Sequence, residues 1–415
     1  MKIVSVLATL LFATILFGIE PIKAQSDEGM IYGKVTTIDN NTYQGAIRWG
    51  KEEVFWFDYF NSTKLSNENL KYLSRRDKDV LDRGSNRGRR ESFWFFNVDV
   101  YNYTNNDYNH TFVCQFGEIK SIEILRRERV RLVLKNDNIV NLEGGSNDIG
   151  AKVNIYDEEL GKIALNWSQI EKVEFFPTPE KLEYSFGKPI YGTVFSTEGE
   201  FTGYIQWDND ERLTTGKLDG DNRDGDYSIE FGKIKSIEKT GRGCDVTLNS
   251  GREIYLTGSN DVNSGNRGVI VNVPDFGRME IEWDEFDKVV FDNNAKYFGV
   301  AYDEFPEPLP LAGTVTTIDD ESISGMIVFD LDEAFDYEIL QGEYNDVEFS
   351  IPFRNIKKII PKNYNYSKIE LRNGQKLLLG DSHDVTDSNQ GALIFIDNEN
   401  QVYVPWENIE EINFR

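Results

Sequence analysis

Apolar and polar residues alternate along most of this chain in short runs. Gly, Asn, Asp and Ser separate the runs, as expected for half-buried strands joined by tight turns. The pattern comes round three times. Ile31-Tyr32-Gly33-Lys34-Val35, Ile190-Tyr191-Gly192-Thr193-Val194 and Leu311-Ala312-Gly313-Thr314-Val315 open alike, and strands ending at Trp49, Trp207 and Phe329 complete a hairpin in each case. A second hairpin turns at Leu134-Lys135-Asn136-Asp137, Leu248-Asn249-Ser250-Gly251 and Leu371-Arg372-Asn373-Gly374, where the turn residues suit a positive φ. A third landmark follows: Gly145-Ser146-Asn147-Asp148, Gly258-Ser259-Asn260-Asp261 and the variant Gly380-Asp381-Ser382-His383-Asp384. Landmarks matched in one order predict an all-β protein of three tandem repeats of about 110–145 residues.

A shorter period lies inside the longer one. An aromatic residue followed at +3 and +6 by apolar residues occurs at Phe116/Ile119/Ile122, Trp167/Ile170/Val173, Phe231/Ile234/Ile237, Trp283/Phe286/Val289, Phe353/Ile356/Ile359 and Trp406/Ile409/Ile412. Spacing of three suits one tight helical turn, after which alternation resumes as a strand. Strand, single turn and strand closing a small β unit resembles the last part of SH3-like and Sm-like barrels. The resemblance is one of fold and implies no activity. It implies two small barrels in each repeat, with a six-bladed propeller as the alternative. Proline-rich stretches mark the boundaries. The expected division is a first repeat over 25–176 with a basic insertion at 64–91, a linker at 177–189, a second repeat over 190–291, a linker at 292–310 and a third repeat over 311–415.

Residues 1–24 read differently. Lys2, an apolar run over 3–17 and a small residue before Gln25 form the pattern of a secretory signal peptide cleaved near Ala24. The chain is therefore expected in the periplasm or outside the cell. No later segment is apolar enough to span a bilayer as a helix. The formal net charge is −26, which keeps a protein soluble and repels nucleic acid. Cys114 and Cys244 stand at non-equivalent places in different repeats, so the scaffold is not designed around a bridge. Only two histidines are present, which disfavours imidazole-based metal sites and Ser-His-Asp chemistry.

Candidate sites gather where the repeats differ. Trp56 and Trp94 have no equivalents in the later repeats and lie in aromatic strands that are either doubly buried or form a patch for a sugar ring or a protein partner. The basic insertion between them carries Arg75, Arg76, Arg89 and Arg90, whose guanidinium groups could hold an anionic partner or an acidic repeat of the same chain. In the second repeat Asp219, Asp221, Asp224 and Asp226 could wrap Ca²⁺, although the spacing fails the EF-hand pattern. Glu53/Glu211/Glu333 and Asp148/Asp261/Asp384 recur in every repeat. Paired carboxylates can hydrolyse glycosides, but occurrence in triplicate points to a structural task. Ser382-His383-Asp384 is a turn, since adjacent residues cannot supply triad geometry. The expectation is a non-enzymatic binding or scaffold protein with a protein or carbohydrate partner and no required cofactor. The alternative is a carboxylate-dependent hydrolase of envelope polysaccharide.

Overall fold

The computed structural model describes residues 26–84, 111–144, 148–293 and 300–415. They fold almost entirely as antiparallel β structure, with thirty strands and one α-helix, Arg75–Gly84. Among the described residues no helix is long and apolar enough to cross a membrane. The turn chemistry takes the conformations its residues favour. Asp137, Gly251 and Gly374 adopt φ of 63°, 84° and 92°, and each donates its amide to the leucine three residues earlier. Positive φ costs glycine nothing and aspartate little, so these turns set the strand register locally.

The aromatic turns form as the +3 and +6 spacing predicts. Five are single 3-10 turns, and Trp283 opens a hydrogen-bonded turn instead. All six +6 residues, Ile122, Val173, Ile237, Val289, Ile359 and Ile412, are fully buried. They also meet in pairs. Ile122 stands opposite Val173, Ile237 opposite Val289 and Ile359 opposite Ile412 in antiparallel ladders. The last strand of one half-unit therefore lies beside the last strand of the other.

That pairing corrects the barrel expectation. In residues 32–175 the strands run as one open sheet of ten, ending at Thr111–Gln115 on one side and Gly161–Leu165 on the other. Among the described residues no ladder joins the two ends. The same order of pairings is met in 312–414. It is met again in 190–291, where the hairpin Lys217–Asn222/Gly225–Glu230 joins through one bridge, Asp221 to Thr257. Among the described residues, six separate four-stranded blades are not formed either. The physical reason lies in the backbone: the strand after each aromatic turn finds a second edge in the neighbouring half-unit. Ladder bonds made there carry the sheet on into the neighbouring half-unit, so neither half-unit closes on itself.

The sheet folds over itself around aromatic rings. Trp49, Trp207 and Phe329 stand edge to face with Trp167, Trp283 and Trp406, at centroid distances of 5.9, 6.0 and 5.9 Å. Edge-to-face geometry places a ring's positive edge on its neighbour's negative face. The segments 190–291 and 311–415 share one core. They also share a ladder, Gly277–Ile281 against Val347–Pro352. Residues 30–175 build a second core that takes in Tyr204, Leu213, Tyr302, Phe305 and Tyr337 from outside.

The proline-rich stretches are packed against the sheets. Thr178 donates to the carbonyl of Met30, and Tyr302 lies 4.6 Å from the Trp56 ring. Lys135 sits 3.7 Å above the Tyr302 ring and donates to the Phe305 carbonyl. The thirds are thus fastened together at these points.

Candidate functional site

The recurring carboxylates come together in each third, beneath the tryptophan or phenylalanine that ends the first hairpin. Asp148, Asp261 and Asp384 perform one task three times. Their Oδ2 atoms accept the backbone amides of Asn61, Asp219 and Gln341 at 2.7, 2.7 and 2.6 Å. The carbonyls of Asp148 and Asp261 also accept the indole N–H of Trp49 and Trp207, at 2.9 and 3.0 Å. A buried amide left without an acceptor is costly. Asp384→Ala is therefore expected to lower stability by roughly 1–3 kcal/mol, read from the urea midpoint. Asp384→Asn keeps an acceptor oxygen and should cost less.

Glu53, Glu211 and Glu333 sit across from these aspartates. Each follows a tight turn and accepts, through its carbonyl, the amide of Trp49, Trp207 or Phe329. Burial, then Asp148, pushes the Glu53 carboxyl well up, and burial, then Asp332 and Asp384, does the same to Glu333. Burial, then Asp261, pushes Glu211 up to about 8, so it holds a proton at neutral pH. Its Oε2 is buried without a hydrogen-bond partner, as is that of Glu333.

In the second third a further carboxylate joins. Asp208, Glu211 and Asp261 each offer an oxygen within 4.8 Å of the others, the one such group of metal-ligand type among the described residues. Three carboxylates suit a hard dication. Asp208 already has a cation, however: Arg267 reaches it at 3.2 Å and also donates its backbone amide. The equivalent Asp330 is held by His383 at 2.9 Å and by the amide of Gln390. Gly50 stands at this position in the first third. The shared task of Asp208 and Asp330 is to tie down a loop.

The acids singled out for calcium lie elsewhere. Asp219, Asp221 and Asp226 stand on the hairpin Lys217–Asn222/Gly225–Glu230, with Asp224 at its tip. Asp221 pairs with Asp226, Asp224 donates its amide to Asn222, and the four carboxylates form no such group. Trp56 is fully buried, with its indole N–H on Thr178 Oγ1 at 3.0 Å. It belongs to the core and offers no platform. Trp94, Arg89 and Arg90 lie outside the described residues. Arg75 and Arg76 are exposed at the start of the helix. The stretch leading to them docks on the last third. Lys64 pairs with Asp332 and Glu338 at 3.0 and 2.7 Å, and Leu73 packs among Val328, Leu331 and Leu393. Cys114 and Cys244 are both buried as free thiols.

Two features escape a linear reading. Arg212 forms a buried ion pair with Asp58 between the first and second thirds, beside stacked Phe57 and Tyr204 rings 4.7 Å apart. One signal was available: Val54 and Ala334 occupy the equivalent positions, so a lone charge replaces an apolar residue. The other feature is a cavity of about 230 Å³ lined by Tyr32, Tyr156, Glu158, Leu182 and Tyr184. Tyr156 and Tyr184 lie nearly parallel, 6.2 Å apart, with Tyr184 largely exposed. The acid pairs do not line this cavity.

No family model matches the chain, and neither does any of the curated proteins or solved structures compared with it.

Proposed function

We propose that the chain is an exported, non-enzymatic binding or scaffold protein whose tandem β modules present loops and edges to a partner. The observation that carries this reading is the use made of the recurring acids. Asp148, Asp261 and Asp384 each hold a strand amide in place. One carboxylate of each recurring pair is thereby committed to architecture in every module.

The ligand class is read from the cavity beside Tyr184. This exposed ring, with Tyr156 next to it, offers an apolar face to the C–H groups of a sugar ring, and the Tyr32 hydroxyl and Glu158 offer hydrogen-bond partners. The reading needs no cofactor. Export rests on the signal peptide pattern of residues 1–24.

A panel of envelope polysaccharides, presented to the purified mature chain, tests the proposal. Retention of a glycan without release of reducing ends is expected. Tyr184→Ala should weaken retention roughly tenfold, about 1.4 kcal/mol, while Glu53→Gln should leave it unchanged. Release of reducing ends that disappears in Glu53→Gln would overturn the reading in favour of hydrolysis.

A further inference from the structure

The ladder between the second and third segments is a template for a contact the chain does not make within itself. Gly277–Ile281 pairs with Val347–Pro352 in the register Arg278 to Ser350, Met279 to Phe349, Glu280 to Glu348 and Ile281 to Val347. Both strands have counterparts elsewhere. Counting back from the aromatic turns, Gly161–Leu165 stands where Gly277–Ile281 stands, and Gly225–Glu230 where Val347–Pro352 stands. The second likeness extends to side chains: Asp226-Tyr227-Ser228-Ile229 against Glu348-Phe349-Ser350-Ile351.

Neither counterpart has found its complement. Among the described residues, Gly161–Leu165 is paired only to Val153–Asp157, and Gly225–Glu230 only to Lys217–Asn222. Other strands of the two types are covered. Phe112, equivalent to Phe349, is buried against Tyr337, whereas Tyr227 remains partly exposed. Gln401–Val404, the third strand of the first type, is flanked by the segment at Tyr72 and Leu73. An edge strand with free amides and carbonyls is a ready template for another chain.

We propose that copies of this chain associate head to tail, Gly161–Leu165 of one copy pairing antiparallel with Gly225–Glu230 of the next in the register of the internal ladder. Ile163 then faces Tyr227, as Met279 faces Phe349. Ala164 faces Asp226, which removes the acid-on-acid opposition of Glu280 and Glu348. Lys162 faces Ser228, with Asp226 and Glu230 as its two diagonal neighbours, within reach of its long side chain. The edges are complementary in charge, and they are two different surfaces of the chain. The contact is therefore heterologous, leaving one free edge of each type at the ends of the chain of copies. The inference does not depend on the sugar-binding reading, because it uses neither the cavity nor Tyr184.

Sedimentation analysis of the whole mature chain from about 1 µM to about 500 µM, a range that covers micromolar to millimolar dissociation constants, tests it together with charge variants. The wild type should gain mass with concentration. Lys162→Glu should shift association to at least tenfold higher concentration, and so should the double variant Asp226→Lys, Glu230→Lys. An equimolar mixture of the two variants should associate again, as alternating copies. At one contact the introduced carboxylate meets the introduced lysines, and at the next the two unaltered edges meet as in the wild type. A wild type that stays monomeric throughout overturns the proposal. So does self-association that ignores the charge variants, since other surfaces would then carry it. Lys162 and Asp226 are exposed and Glu230 is half-buried, and unchanged melting temperatures will show that the fold is intact.

Discussion

Arg212→Met is expected to lower the unfolding free energy by roughly 3–5 kcal/mol, the cost of stranding one partner of a buried ion pair. Asp58 is 4 % exposed and Arg212 7 %. One carboxylate oxygen of Asp58 meets the guanidinium, while the other accepts the amides of Val54 and Phe55 at 2.7 and 2.8 Å. Arg212 also donates to Gln206 at 2.6 Å. Methionine fills a similar volume without the charge. Asp58 would then stay buried without its cation, close to Glu53. Asp58→Asn in the same background keeps an acceptor for the loop amides and removes the stranded charge. The double variant should therefore recover part of the loss, giving a coupling energy that urea unfolding can measure. Additive losses would mean that the pair is not the fastening between the first two thirds.

The second large effect is a dependence of stability on pH. Glu348 lies in the ladder between the second and third segments, directly opposite Glu280. Burial, then Glu280, Glu343 and Glu282, pushes its carboxyl up to about 8. An unfolded glutamate titrates near 4.5. Between those values the folded chain binds the proton more tightly than the unfolded chain, so stability falls as pH rises from about 4.5 to about 8. Below that window both states are protonated, and above it both are ionised. Glu211, also pushed up to about 8, acts in the same direction. The acids held low, such as Asp157, Glu174 and Glu411, act in the opposite direction, but below their ordinary values and so beneath this window. Glu348→Gln should therefore raise stability at pH 9 by roughly 2 kcal/mol and change it little at pH 4. That figure is discounted from about 1.4 kcal/mol per unit, because the side chain keeps some contact with water. Melting curves from pH 4 to pH 9 for both forms check it; parallel curves would count against the assignment.

These two effects come from contacts between thirds, where the linear pattern was least informative. Within a third it was far more so. Alternation placed the hairpins, and the aromatic residue with its +3 and +6 partners located six turns and the fully buried positions after them. The recurring aspartates had the structural task that triplication suggested, although the amides they hold belong to strands distant in sequence. Trp56 stood out from its neighbours for a different reason. It is covered by Thr178 and Tyr302, residues of the two stretches taken for linkers, so its burial followed from packing that no local pattern records.

The sequence alone therefore determined the strands, their buried faces, the turns and the threefold recurrence of the landmarks, because each depends on neighbouring side chains and on φ preferences. Only the tertiary structure decided which edge meets which edge. It joined Ile122 to Val173 where closed barrels were expected, set Arg212 against Asp58, and left Gly161–Leu165 and Gly225–Glu230 with one neighbour each among the described residues. The reason is physical. A side-chain pattern says which face of a strand is buried, while edges pair through amides and carbonyls that nearly every residue carries alike.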